Sequence, residues 1–134
     1  MGRRNMIEVQ VKDVVNSIDT LREVVQRPLK ARTAFNVAKL IRSIDGEYEL
    51  YNTERDKLIK KYGNKDENGE LIVDENGRCR VADEDIPKFN EEIQELLNNE
   101  VTINAPKLYI SELGEETFTP MQMLSIEKFL ESEE

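Results

Sequence analysis

Leu29-Lys30-Ala31-Arg32-Thr33-Ala34-Phe35-Asn36-Val37-Ala38-Lys39-Leu40-Ile41-Arg42 opens a stretch that reaches Tyr62 without a proline, and its reading decides the fold. Within it Ala34, Val37, Ile41, Ile44, Tyr48, Tyr51, Arg55, Leu58 and Tyr62 alternate steps of three and four residues. That spacing lines them along one stripe of an α-helix in a heptad register, so a single helix is expected over residues 29–62. Arg55 and the tyrosines make the second half of the stripe more polar than the first. A helix of this length is held mainly by burying its apolar face. The expectation is therefore a helical hairpin with neighbouring segments or an oligomeric bundle with other copies. Gly46 weakens the helix by about 1 kcal/mol relative to alanine, which predicts a bend or a close approach there. Gly63 suits a left-handed C-cap.

Upstream, Val11, Val14, Val15, Ile18, Leu21, Val24 and Val25 recur at helical spacing and predict a helix over 11–26. Arg27-Pro28 ends it, and Pro28 fits the first turn of the following helix. Downstream, Asp-Glu-Asn-Gly occurs at residues 66–69 and again at 74–77. Asn-Gly between β-prone runs signals a type I′ hairpin, in which both central residues take positive φ. A hairpin over 70–82 is expected, with Leu71–Val73 and Arg78–Val81 as its strands. Asp83 or Asp85 can cap a helix over 86–99 that buries Phe89, Ile93, Leu96 and Leu97. Short strands within 101–110 would extend the hairpin into a small sheet. Thr119, Pro120 and Gln122 fit the N-cap, first and reciprocal capping positions of a last helix over 120–131, with Met123, Leu124, Ile126, Phe129 and Leu130 as its apolar positions. The fold class is thus mainly α with a small β-hairpin or sheet, and 134 residues suit a single domain over 1–134.

Composition narrows the function. With 28 acidic and 19 basic residues the formal charge is −9, which works against direct binding to nucleic acid or an anionic membrane. The same acidity fits either an ordinary solvated surface or mimicry of nucleic acid toward a basic partner. No stretch approaches the roughly 18 apolar residues of a spanning helix, and Met1-Gly2-Arg3-Arg4-Asn5 is followed by no apolar run that would make a signal peptide. One cysteine, Cys79, excludes an intrachain disulfide, and cytoplasmic residence is expected.

Catalytic constellations are missing from the text. There is no histidine, which removes Ser-His-Asp and Cys-His nucleophilic sites and the usual zinc sets. The carboxylate pairs Glu91-Glu92, Glu115-Glu116 and Glu133-Glu134 are sequence neighbours, and neighbours on a helix do not face one another. No Gly-rich phosphate loop is present. Neither an enzyme nor a cofactor is expected. Asn64-x-Asp66-x-Asn68-Gly69, closed by Glu75, matches the ligand spacing of an EF-hand calcium loop. Its first ligand is asparagine, however, and Leu71-Ile72-Val73 leads toward a hairpin turn. A solvated turn is the competing reading, and no metal is assigned.

The run from Arg27 to Arg42 contains no acid in an otherwise acidic chain. At a helix N-terminus, backbone amides and the helix dipole favour an anion. Arg27, Lys30, Arg32, Thr33, Lys39 and Arg42 are accordingly the candidate binding face for a small anionic nucleotide or for a host or phage protein partner. The alternative is that these cations pair with acidic residues of the same chain or a neighbouring copy.

The order of segments resembles a family of uncharacterised small proteins of tailed phages and prophages from Gram-positive bacteria. The resemblance rests on Leu29–Phe35 through Ala38–Ile41, on Leu58–Gly63 leading into the Asp-Glu-Asn-Gly repeats, on Phe89-Asn90 through Glu95–Asn98, and on the closing Thr119-Pro120 helix. It implies a phage setting and brings no catalytic residue. The expectation is a non-enzymatic effector directed at a host or defence factor, in the cytoplasm of an infected or lysogenic cell. The alternative is a structural or assembly component of the particle that acts by self-association, and a homo-oligomer is expected in either setting.

Overall fold

The computed structural model describes residues 6–114 and 117–132. The N-terminal arginines and the pairs Glu115-Glu116 and Glu133-Glu134 lie outside the described residues. The elements are β1 (Ile7–Gln10), α1 (Val11–Val24), α2 (Ala31–Tyr62), a 3-10 turn (Asp83–Asp85), α3 (Ile86–Leu97), β2 (Glu100–Ile103), β3 (Leu108–Tyr109), a second 3-10 turn (Ile110–Leu113), α4 (Pro120–Ile126), a third 3-10 turn (Glu127–Phe129) and β4 (Leu130–Glu131). The expected class, mainly α with a small β component, is what forms. The residues gather into two compact units, one taking 1–48 and 100–134 and the other 49–99. α2 contributes to both.

In the first unit, Val14, Ile18, Leu21 and Val24 of α1 pack with Val37, Leu40 and Ile44 of α2, and with Ile103, Leu108, Leu113, Ile126 and Phe129. Ser17 and Thr20 are also buried on α1. The Ser17 hydroxyl donates to the Val14 carbonyl, and the Ser125 hydroxyl of α4 donates to Thr20 Oγ1, so neither polar group is left unpaired. The α2 stripe is offset from the heptad reading. Val37 and Ile44 are buried as expected, but Leu40 is buried where Ile41 was expected, Thr33 is buried and Ala34 is exposed. At about 100° per residue the true stripe is rotated by roughly 50°. The cause is packing: the core closes on Leu40, and two adjacent aliphatic residues give periodicity no means of choosing between them.

The strands pair differently from the expectation. β1 runs antiparallel to β2, with Ile7 opposite Ile103 and Val9 opposite Val101. β3 pairs in parallel with β4, Leu108 opposite Leu130. Neither extends the hairpin. The alternation Ile7-Glu8-Val9 buries its apolar members, the pattern of a strand with one face on a core. The Thr119 box forms as read: the Gln122 amide donates to Thr119 Oγ1 at 3.1 Å, and the Thr119 amide donates to Gln122 Oε1 at 2.9 Å. α4 is shorter than expected, because the chain turns at Glu127–Phe129 to bury Phe129 and place Leu130 beside β3. α2 begins at Ala31, after Pro28 and Leu29, and its first turn closes from the Ala34 amide to the Lys30 carbonyl.

In the second unit, Tyr62 of α2 and Phe89 of α3 meet edge to face, with ring centroids 6.2 Å apart. The apolar face of α3 is half-buried, not buried: Phe89, Ile93, Leu96 and Leu97 all keep some exposure. Between the helices, the two Asp-Glu-Asn-Gly stretches form the same turn. Asp66 Oδ1 accepts from the amides of Asn68 and Glu70, and Asp74 Oδ1 accepts from those of Asn76 and Arg78. Within these two stretches only the glycines, Gly69 and Gly77, have positive φ, so the second turn is not the type I′ turn expected at Asn76-Gly77. Asp74 side-chain bonding stabilises a turn in which Asn76 keeps an ordinary backbone. Bridges Gly63–Val81, Lys65–Leu71 and Val73–Cys79 hold the segment as separate contacts and not as continuous strands. Gly63 is likewise not a left-handed cap. A Cβ there would lie 2.6 Å from the Ile59 carbonyl oxygen and 2.8 Å from Leu71 Cδ2, so glycine serves a close approach. No such approach occurs at Gly46, where an added Cβ meets nothing within 4 Å.

Candidate functional site

The six residues proposed from sequence do not form one cluster. Arg27 follows α1, and its guanidinium stacks 4.4 Å from the Phe118 ring centroid and donates to the Thr117 carbonyl at 3.5 Å. These contacts anchor the segment leading into α4. Lys30 and Thr33 instead line a depression of about 380 Å³ with Pro28, Leu29 and residues 111–114. There Thr33 Oγ1 donates to Glu112 Oε2 at 3.0 Å, while Glu112 Oε1 accepts the Tyr109 amide at 2.8 Å. The first turn of α2 therefore already has a carboxylate of its own chain beside it, whose charge disfavours a second anion there.

Arg32, Lys39 and Arg42 stand together with Phe35, at successive steps of three, four and three. At about 100° per residue their stripe lies roughly 150° from the buried stripe of α2, on the side away from the core. Phe35 is 62% exposed, and the Lys39 ammonium sits 4.8 Å from its ring centroid. That contact is a cation–π pair in water, of modest strength. Arg32 and Arg42 are exposed and make no side-chain hydrogen bond or ion pair among the described residues. The sequence reading missed Phe35 as a site residue, although its spacing from Arg32 and Lys39 places it on their stripe.

Two further features were not read from the sequence. Beside α4, Ile110, Pro120, Met123, Leu124, Glu127, Leu130, Glu131 and Ser132 surround an open groove of about 480 Å³. Leu124, expected in the core, is 59% exposed. In the second unit, Lys61 Nζ lies 3.4 Å from Glu92 Oε1. Hydrogen bonding from Tyr62, and then from Lys61, holds the Glu92 carboxyl below its ordinary range, against the opposing effect of desolvation.

The EF-hand spacing does not gather ligands. Asp66 is engaged by its own turn amides, and Glu75 lies in the second turn. Among the described residues no group of three or more His, Cys, Asp or Glu side chains is arranged to hold a metal ion. Among them, too, no helix is long and apolar enough to cross a membrane. Protein-family models, curated proteins and solved structures gave no significant match to the chain.

Proposed function

We propose that this protein acts by binding an acidic protein surface and not by catalysis, with Arg32, Phe35, Lys39 and Arg42 of α2 as the docking face. The observation that supports this reading is Phe35, a large aromatic side chain left 62% exposed among three cations in a chain of charge −9. Aromatic residues and arginine are the side chains enriched at protein interfaces and at their energetic centres. A convex helix face suits a protein partner, whereas small ligands are taken up in concave sites. The carboxylate of Glu112 at the start of α2 further disfavours a small anionic nucleotide there. In the phage setting implied by the resemblance, the partner is a host or defence factor met in the bacterial cytoplasm, and the protein acts on it stoichiometrically.

Affinity capture from host extract with the wild type, Phe35→Asp and Arg42→Glu tests the reading. An acidic protein held by the wild type and lost from both variants, with their circular dichroism and melting temperature unchanged, is the expected result. Retention indifferent to both substitutions would overturn it. A nucleotide-induced thermal shift that survives Phe35→Asp but not Arg32→Glu would favour the small anion instead.

A further inference from the structure

We propose that the chain self-associates head to tail, the α2 face of one copy seating in the groove beside α4 of the next. The inference rests on the α2 face being a docking surface and names a second copy as its occupant. The groove carries Ile110, Met123, Leu124 and Leu130 as its apolar lining, with Glu127 and Glu131 beside them. Ile110 of the second 3-10 turn is 48% exposed and Leu124 of α4 is 59% exposed, although α4 buries Ile126 completely. Neither Glu127 nor Glu131 has a side-chain hydrogen bond or ion pair among the described residues.

The two surfaces are complementary in both respects that matter. One presents an aromatic ring flanked by Arg32, Lys39 and Arg42. The other presents an apolar groove flanked by two carboxylates that have no partner among the described residues. Both belong to the same compact unit, so each copy carries one of each. A symmetric pairing of two α2 faces would set cations against cations, which is unfavourable at close range. The contact is therefore heterologous, and a heterologous contact builds either a closed ring or an open chain. A protein partner and a second copy would compete for the same side chains.

Light scattering across a concentration series tests this with three proteins. The wild-type mass should rise above the 15.6 kDa of one chain as concentration increases. Phe35→Asp, with an intact groove, and Leu124→Asp, with an intact face, should each stay monomeric. Both substitutions fall on exposed side chains, and unchanged circular dichroism would verify their folding. An equimolar mixture of the two should give a species of twice the chain mass that grows no further, because one intact face and one intact groove remain per pair. A wild type that stays monomeric at millimolar concentration would overturn the proposal. So would association that the mixture does not restore. If the wild type is monomeric yet still captures an acidic protein through Phe35, the docking face stands and only its self-partner falls.

Discussion

The Thr33 hydroxyl donates to the Glu112 carboxylate at 3.0 Å across a separation of 79 residues. Thr33 is 5% exposed, so its hydroxyl has little access to water as a substitute acceptor. The second oxygen of Glu112 accepts the Tyr109 amide, and one carboxylate thereby ties β3 to the first turn of α2. An unpaired buried polar group costs about 1–3 kcal/mol. Glu112→Ala removes both bonds and should lower the unfolding free energy by about 2 kcal/mol. Thr33→Val leaves the Tyr109 contact in place and should cost less. Urea denaturation of the two variants checks this, and equal losses would show that the Tyr109 bond contributes nothing.

Two glycines in or after α2 should respond to alanine in opposite directions. Gly46 is exposed inside the helix, and its added Cβ would meet nothing within 4 Å. Gly46→Ala should stabilise by about 1 kcal/mol, through helix propensity and a less free unfolded chain. Gly63→Ala drives a Cβ to 2.6 Å from a backbone oxygen that cannot move aside independently. It should destabilise by about 1–3 kcal/mol, the range for overpacking. Thermal unfolding of both variants reads the two signs directly.

Lys61, Tyr62 and Glu92 give the second unit a pH dependence at both extremes. Hydrogen bonding from Tyr62 lowers the Glu92 carboxyl from its ordinary 4.5. Its contribution is present above that value and is lost as pH falls through the lowered one. Lys61 is raised from 10.5, first by its hydrogen bond with Tyr62 and then by Glu92, and Tyr62 is raised from 10.0, chiefly by Glu92. Both contributions are complete below those ordinary values and disappear as pH rises through the raised ones. Glu92→Gln should flatten the acid limb and weaken the alkaline one. Chemical denaturation at acidic, neutral and alkaline pH measures this; a variant with the wild-type profile would remove Glu92 from both limbs.

What could be read from the sequence was local. The Thr119 box and the main helices were legible because their signals lie within a few residues of one another. β1 was missed because Ile7–Gln10 is four residues long and finds its partner only at Glu100–Ile103. The choice between Leu40 and Ile41 depends on where the core closes, and adjacent aliphatic residues carry no trace of that. Glu112 has no local pattern linking it to Thr33. Phe35 differs from these, since an aromatic residue on the cationic stripe is visible from spacing alone. The groove beside α4 was hidden because Leu124 has the composition of a core residue but stands mostly in water.

The repeated Asp-Glu-Asn-Gly turns predict matched behaviour at two positions. Asp66 Oδ1 accepts the Asn68 and Glu70 amides at 2.9 and 3.0 Å, and Asp74 Oδ1 accepts those of Asn76 and Arg78, both at 2.9 Å. Each turn ends on a glycine of positive φ, +80° at Gly69 and +76° at Gly77. Asp66→Ala and Asp74→Ala should each cost about 1 kcal/mol, since these bonds are exposed and water replaces part of their strength. Substitution by asparagine keeps Oδ1 as an acceptor and should cost less. Gly77→Ala should cost about 1–2 kcal/mol through the left-handed backbone. Amide exchange localises the effect: Asp66→Ala should speed exchange at Asn68 and Glu70 while leaving Asn76 and Arg78 unchanged. Because the Asp66 carboxylate is already engaged by its own loop, adding calcium or chelator should leave the melting temperature where it was. A calcium-induced rise that Asp66→Ala abolishes would show that the loop rearranges into the ligand set its spacing resembles.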